Sequence, residues 1–134
     1  TIQAQILKLM SELQRDFNTG IMLITHDMGV VAKVADDIMV MYAGKVVEKN
    51  TAENIFDHTR HPYTQGLLKS IPRLDQDVDK LYTIEGQVPS LSQMGKGCRF
   101  ASRCPYCTDR CKNEEPKLIK TSDGGQIRCF RVSE

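Results

Sequence analysis

The residues best suited to chemistry are five cysteines, which all lie in the last third of the 134-residue chain: Cys98, Cys104, Cys107, Cys111 and Cys129. Their spacing is C-x5-C-x2-C-x3-C-x17-C. Because five is odd, a complete disulfide framework leaves one thiol over. Thiolates on a short, loop-rich segment with little apolar content favour a metal that holds the segment together. Four thiolates suit zinc and iron–sulfur clusters alike, so the spacing predicts a metal site without choosing the metal.

A second candidate is His26, which follows the apolar run 21–25 and precedes Asp27. The run carries no charge, does not alternate, and begins after Gly20. This pattern is typical of a strand buried on both faces of a parallel sheet. Ligands of open α/β sheets bind at the carboxyl ends of strands. His26 is therefore placed as a site residue would be, and a surface or capping histidine is the alternative.

The elements around these residues follow an α/β order. Apolar residues at helical spacing predict an amphipathic helix over residues 3–17, and Asp27 can cap a second helix. Residues 38–48 predict a β-hairpin that turns at Ala43-Gly44. Helix, strand, helix, strand, strand is the order expected for the end of an α/β domain.

The middle of the chain is predicted to be helical. Thr51 is suited to be the N-cap of a short helix that reaches Phe56. A second helix opens at His61-Pro62 and ends before Pro72. Proline at the first turn of a helix costs no hydrogen bond.

The composition changes towards the end of the chain. A polar linker is expected at 75–80 and a short strand at 81–85, and the turn-forming stretch 86–97 precedes the cysteines. A strand-like segment covers 126–130. These features predict three parts, residues 1–50, 51–94 and 95–134.

Composition excludes several classes of protein. The formal net charge is +1, and few aromatic residues stand between the basic ones near the cysteines, so nucleic-acid binding is not expected. The apolar runs are too short to span a membrane. The chain starts at Thr1 without a signal pattern, which suggests a start inside a longer protein.

The first 50 residues resemble the C-terminal half of an ABC-transporter nucleotide-binding domain. The resemblance rests on Thr25-His26-Asp27-Met28 and on the stretch from Ala35 to Glu48. Residues 51–134 resemble the C-terminal extension of the ATPase subunits of oligopeptide and dipeptide importers. The segments that carry this second resemblance are His61-Pro62-Tyr63-Thr64, Glu85-Gly86-Gln87-Val88-Pro89-Ser90-Leu91 and Gly97-Cys98-Arg99-Phe100-Ala101-Ser102-Arg103-Cys104-Pro105.

The resemblance implies an α/β fold: the C-terminal part of an ABC-type P-loop ATPase domain, followed by a small Cys-rich α+β extension. It implies that His26 is the switch-loop histidine, which contacts the γ-phosphate of ATP and orients the attacking water. ATP and Mg²⁺ would be the cofactors of the full-length protein. The 134 residues contain no phosphate loop, signature sequence or Walker B carboxylate, so we expect this part of the protein to be inactive alone.

The same resemblance implies a ligand set for the cysteines. Members of this subfamily often match C-x5-C-x6-C-x17-C and can carry a [4Fe–4S] cluster. This frame selects Cys98, Cys104, Cys111 and Cys129. Cys107 is an extra thiol by this frame, although a rival frame uses it in place of a neighbour. Zinc and a metal-free segment remain the alternatives.

The resemblance also implies a cellular role. The protein would energise peptide uptake from the cytoplasmic face of the membrane, with a second ATPase subunit and transmembrane permease subunits as partners and the peptide as indirect cargo. A stand-alone Cys-rich metal-binding interaction module is the alternative function. An apolar strand without flanking strands also predicts self-association of this part of the protein.

Overall fold

The computed structural model describes residues 2–72 and 82–132. The chain divides into two compact units, Thr1–Ala35 and Asp36–Glu134. The predicted three-part division at residues 50 and 94 stays a prediction. Among the described residues, no helix combines the length and the apolar character needed to cross a membrane.

The first unit holds two helices. Helix α1 spans Ile2–Phe17 and α2 spans Met28–Val34, which confirms both predicted helices. Asp27 caps α2 as predicted, because its carboxylate accepts hydrogen bonds from the amides of Gly29 at 2.9 Å and Val30 at 3.2 Å. Neither helix has a buried residue, so the apolar stripe of α1 is exposed.

The predicted strand over 21–25 is wrong for this structure. The segment belongs to no strand, and Ile24 is 91% exposed. A strand needs a neighbour to pair its backbone N–H and C=O groups. Within the described residues, none pairs with this segment.

The second unit begins with the predicted hairpin, which is confirmed. Strand β1 spans Asp37–Tyr42 and pairs antiparallel with β2, Lys45–Thr51. Ala43 and Gly44 both have positive φ, 47° and 78°, as a tight two-residue hairpin turn requires. Alternate residues of β1 are buried, so the strand presents one face to the core.

The hairpin is extended by strands from the Cys-rich part of the chain. Strand β4, Gln126–Ile127, pairs with β2 and with β3, Ile119–Lys120, giving a four-stranded antiparallel sheet of order β1-β2-β4-β3. The strand-like segment 126–130 is thus confirmed in its first two residues. The hairpin and the Cys-rich part share one sheet.

The described part of the second unit also contains three helices. They are α3, Ala52–His58, α4, Pro62–Lys69, and α5, Asp109–Asn113, with single 3₁₀ turns at Leu91–Gln93 and Ala101–Arg103. Thr51 caps α3 and Pro62 opens α4, as predicted. The linker expected at 75–80 lies outside the described residues. Residues 82–85 form no strand, so the expected strand there is wrong over its described part.

The core of the second unit joins distant parts of the chain. Its buried apolar side chains come from the hairpin, α3, the cysteine loops and β4: Ile38, Val40, Tyr42, Val47, Ile55, Phe100 and Ile127. The ring centroid of Phe100 lies 5.1 Å from that of Tyr42, in an edge-on arrangement, and 5.4 Å from that of Tyr63. This aromatic contact fixes the first cysteine loop on the hairpin and on α4.

Candidate metal centre

The four cysteines of the predicted ligand set line one cavity. Cys98, Cys104, Cys111 and Cys129 border a space of about 300 Å³ in the second unit. Cys107 is not among the described residues that line it. All five cysteines have intermediate exposure. Cys107 does not line the cavity as described, but it lies near Cys111, with which it interacts electrostatically.

Each of the four cysteines is held by a different local element. Cys98 donates its backbone amide to the carbonyl of Cys111 at 2.7 Å. Cys104 ends the 3₁₀ turn Ala101–Arg103. Cys111 lies in α5, where the Thr108 hydroxyl caps its amide at 3.4 Å. Cys129 follows the last residues of β4.

The cavity favours neutral thiols when no cation is bound. Burial raises the pKa of Cys98 and Cys129, and it raises the pKa of Cys104 to about 11. Neighbouring thiolates raise these pKa values further by repulsion. A bound metal reverses this balance, because thiolates replace thiols as ligands and release their protons.

The described side chains include no compact ligand set for a single metal ion. Across residues 2–72 and 82–132, no three His, Cys, Asp or Glu side chains lie close enough to hold one metal ion. The four cysteines that line the cavity are of the donor type that structural zinc sites and iron–sulfur clusters both use.

His61 lies at the same cavity but acts as a structural residue. It is 1% exposed, and its Nδ1 accepts a hydrogen bond from the Tyr63 amide at 3.1 Å, which makes it the N-cap of α4. Burial lowers its pKa to about 4, opposed by a hydrogen bond with the Arg128 backbone. His61 therefore caps α4 as a neutral imidazole.

Glu48 supports the loop that carries the cavity residue His61, a role that was not predicted from the sequence. This buried carboxylate accepts hydrogen bonds from the Thr59 hydroxyl at 2.7 Å and from the amides of Arg60 and His61 at 2.9 and 3.3 Å. A buried carboxylate is stable when several donors satisfy it. Glu48 thus fixes the loop that presents His61. The sequence does not single out Glu48, because β2 also carries the charged residues Lys45 and Lys49.

His26 belongs to the first unit and is exposed. It directly precedes the cap residue Asp27, whose own amide donates to the Thr25 hydroxyl at 3.0 Å. The cap holds the backbone next to His26 while leaving the imidazole accessible. Its role in nucleotide chemistry stays a prediction.

Comparison with known proteins bears on the whole chain. Residues 47–111 match the family described as the oligopeptide/dipeptide transporter, C-terminal region. The chain is 50% identical over its full length to the oligopeptide transport ATP-binding protein AppD of Bacillus subtilis. It is 52% identical over its full length to OppD of Haemophilus influenzae, another oligopeptide transport ATP-binding protein, and 50% identical over 96% of its length to the dipeptide transport ATP-binding protein DppD of Escherichia coli. The chain is similar along its length to ATP-binding proteins of oligopeptide and dipeptide transport.

The similarity to peptide-transport ATP-binding proteins extends over both candidate sites. The chain spans 41% of the length of AppD and OppD and 39% of DppD. The similarity covers the His26 segment and the cysteines in one continuous match. The alternative of a stand-alone Cys-rich interaction module is not supported.

Proposed function

We propose that this chain is the C-terminal portion of the ATP-hydrolysing subunit of a peptide ABC importer. The observation that carries the proposal is the identity of about half the residues along the whole chain with proteins named for oligopeptide or dipeptide transport and ATP binding. The full-length protein would bind ATP and Mg²⁺, pair with a second ATPase subunit, and act on transmembrane permease subunits at the cytoplasmic face of the membrane. Peptide is its indirect cargo.

Within this function, His26 is the residue that contacts the γ-phosphate. Phosphoryl transfer depends mainly on positioning and on charge stabilisation, which an imidazole held beside a helix cap can supply. Its exposure and the hydrogen-bonded cap at Asp27 support this role. No other histidine lies in the first unit.

The test is His26→Ala in the full-length protein assembled with its permease. We expect ATP turnover to fall at least tenfold while ATP affinity changes much less, since the γ-phosphate contact matters most in the transition state. His58→Ala, at an exposed histidine of α3, is the matched control and keeps normal turnover. Unchanged turnover in His26→Ala contradicts the assignment.

The present 134 residues alone are proposed to be inactive. They contain no Gly-rich phosphate loop and no Walker B carboxylate, so little in them can cradle a triphosphate or hold Mg²⁺. Isothermal titration of residues 1–134 with ATP should give no saturable binding. Micromolar affinity contradicts the proposal.

The Cys-rich part is proposed to hold a [4Fe–4S] cluster on Cys98, Cys104, Cys111 and Cys129. The shared cavity supports this ligand set. When bound, the cluster supplies iron–thiolate bonds that tie four separate loop positions together. The protein provides the four thiols and the cavity that they line.

Anaerobic purification with iron, sulfide and zinc analysis tests the cluster. We expect iron and sulfide in equal amounts in the wild type, with loss of both in the Cys→Ser variant of each of the four ligands. Cys107→Ser is the matched control and keeps the iron. Stoichiometric zinc without iron, or dependence of the iron on Cys107, contradicts the assignment.

Self-association of residues 1–134 is proposed from the first unit. Apolar side chains of α1 and of the following segment are exposed, among them Ile2, Phe17, Met22 and Ile24. Large exposed apolar surfaces favour association. Light scattering should detect a dimer or a larger species, and a monomer at high concentration contradicts the proposal.

A further inference from the structure

Two arginine–aromatic pairs border the cavity that the four cysteines line. The guanidinium carbon of Arg110 lies 3.9 Å from the ring centroid of Phe130, and that of Arg131 lies 3.7 Å from the ring centroid of Tyr106. All four side chains line the cavity. A guanidinium over an aromatic face is attracted by the ring quadrupole and also stacks on the ring.

The two pairs join the same two segments in opposite directions. Arg110 and Tyr106 lie in the segment between Cys104 and Cys111, whereas Phe130 and Arg131 directly follow Cys129. One pair therefore places its arginine on the first segment, and the other places it on the second. We name this reciprocal arrangement of Arg110–Phe130 and Tyr106–Arg131 the clasp.

The clasp acts on the side of Cys129 that the sheet does not hold. Before Cys129, Arg128 is fixed to β2: its amide donates to the Val47 carbonyl and its Nε to the Val46 carbonyl, both at 2.9 Å. Its Nη1 also donates to the Pro116 carbonyl at 3.1 Å. Strand β4 ends at Ile127, so beyond Cys129 the chain leaves the sheet and meets the first cysteine segment through the clasp.

We infer that the clasp positions Cys129 relative to Cys104 and Cys111, and that its two guanidinium groups offset the negative charge of a cluster bound by four thiolates. The inference rests on the proposed [4Fe–4S] site. Cys129 is the ligand most remote in sequence, and the loop of 17 residues before it costs entropy to close. Contacts on both sides of Cys129 lower that cost for the bound state. Arg110, Phe130, Tyr106 and Arg131 are positioning residues and are not ligands.

The reciprocal geometry allows a test by exchange of partners. Arg110→Phe and Phe130→Arg each break one pair, while the double variant restores an arginine facing a ring. The measurement is the rate of cluster loss to an iron chelator under anaerobic conditions, followed by visible absorbance in the full-length protein. We expect each single variant to lose its cluster roughly two- to fivefold faster, the range of a partly exposed cation–π contact. The double variant should return to within about twofold of wild type.

Controls isolate the ring contact from other interactions of the same residues. Arg110 also pairs with Glu114 at 3.0 Å, so Glu114→Gln removes this ion pair and keeps the ring contact. Lys112→Phe also replaces a cationic side chain of α5 by an aromatic ring. Lys112 is not among the described residues that line the cysteine cavity. Both controls should lose the cluster at the wild-type rate. Single variants that match wild type, or an exchange as fast as the singles, overturn the clasp.

The charge of the clasp has its own readout. Arg131→Gln removes one positive charge beside the cavity, and Arg131→Lys keeps it. Loss of a nearby positive charge disfavours the reduced, more negative cluster, so the midpoint potential should fall in Arg131→Gln and stay near wild type in Arg131→Lys. Equal potentials in the wild type and Arg131→Gln overturn the electrostatic part of the inference.

A further measurement separates failure of the clasp from failure of the cluster. The clasp joins protein side chains only, so the free energy of unfolding of protein prepared without iron should show coupling between positions 110 and 130 in the same exchange cycle. Coupling in protein that never binds iron means that the cofactor assignment fails and the clasp stands. If the wild type binds iron and no variant changes the rate of cluster loss or the coupling, the cofactor assignment stands and the clasp fails.

Discussion

The backbone amide of Cys98 donates a 2.7 Å hydrogen bond to the carbonyl of Cys111, which brings two proposed ligands 13 positions apart onto adjacent backbone. This approach depends on Gly97. A Cβ at residue 97 would overlap the carbonyl oxygens of Cys111 and Lys112. The absence of a side chain at position 97 therefore lets the first cysteine loop lie against α5.

Gly97→Ala tests this close approach. The added methyl group meets backbone atoms, which cannot rotate away, so we expect the free energy of unfolding to fall by about 2 kcal/mol. The iron content should fall with it, because Cys98 and Cys111 move apart. Gly95→Ala is the matched control, since nothing lies within 4 Å of a Cβ at residue 95. Denaturant unfolding of both variants gives the comparison, and equal stabilities contradict the prediction.

The sequence predicted those elements whose signals are local. The sequence signals for the hairpin of β1 and β2 are its apolar strand residues and the Ala43-Gly44 turn, which lie within 15 residues. In the structure, alternate residues of β1 are buried, and Ala43 and Gly44 have positive φ. The caps at Asp27, Thr51 and His61 are equally local. The apolar run 21–25 failed as a strand because strand formation depends on a pairing partner, which no property of the run itself supplies.

The cysteine cavity was only partly predictable. The family resemblance selected four cysteines, and these four line the cavity, while their role as ligands stays a prediction. The partners that hold these cysteines are far away in sequence: Glu48 supports the loop before α4, and Arg131 reaches Tyr106. Such long-range contacts leave no periodic pattern in the amino-acid sequence, so only the fold reveals them.

Glu48→Gln tests the buried carboxylate. Glu48 accepts three hydrogen bonds from residues 59–61, and an amide in its place turns an NH₂ group towards these donors. Because a buried donor then lacks an acceptor, we expect a loss of about 2 kcal/mol in the free energy of unfolding. Glu85→Gln, at an exposed glutamate of the same unit, should change stability by less than about 0.5 kcal/mol. Thermal and denaturant unfolding check both variants.

Arg103 anchors the segment 84–86 by hydrogen bonds to its backbone. Its Nε donates to the Glu85 carbonyl at 2.9 Å and its Nη2 to the Ile84 carbonyl at 3.0 Å. Its Nη1 donates to the Tyr42 hydroxyl at 3.4 Å. A single guanidinium thus ties the segment 84–86 to the hairpin, in a forked geometry that an ammonium cannot reproduce.

Arg103→Lys should therefore loosen the segment 84–86 while keeping the charge. We expect amide hydrogen exchange in residues 84–88 to speed up about fivefold, which corresponds to about 1 kcal/mol of lost local stability. Arg15→Lys, on the exposed surface of α1, should leave exchange in this segment unchanged. Protection equal to wild type in Arg103→Lys means that the fork contributes nothing measurable.

His61 makes the stability of the second unit depend on pH. Burial lowers its pKa from 6.5 to about 4, because the charged imidazolium is poorly solvated in the core. The folded state therefore binds the proton less readily than the unfolded state. Above about pH 6.5 both states hold a neutral imidazole, and His61 gives no pH dependence. As the pH falls from 6.5 towards 4, only the unfolded state gains the proton, so stability is lost.

The expected loss between pH 7 and pH 4 is about 3 kcal/mol from His61, from a pKa difference of about 2.5 units. The measurement is the free energy of denaturant unfolding of metal-free protein across this range. His61→Gln removes the titrating group and should flatten the pH profile relative to wild type, although its absolute stability falls because the core is disturbed. His58→Gln, at the exposed histidine that ends α3, should keep the wild-type slope. The slope rather than the absolute stability decides the outcome, and an identical slope in wild type and His61→Gln shows that His61 is not the source of the pH dependence.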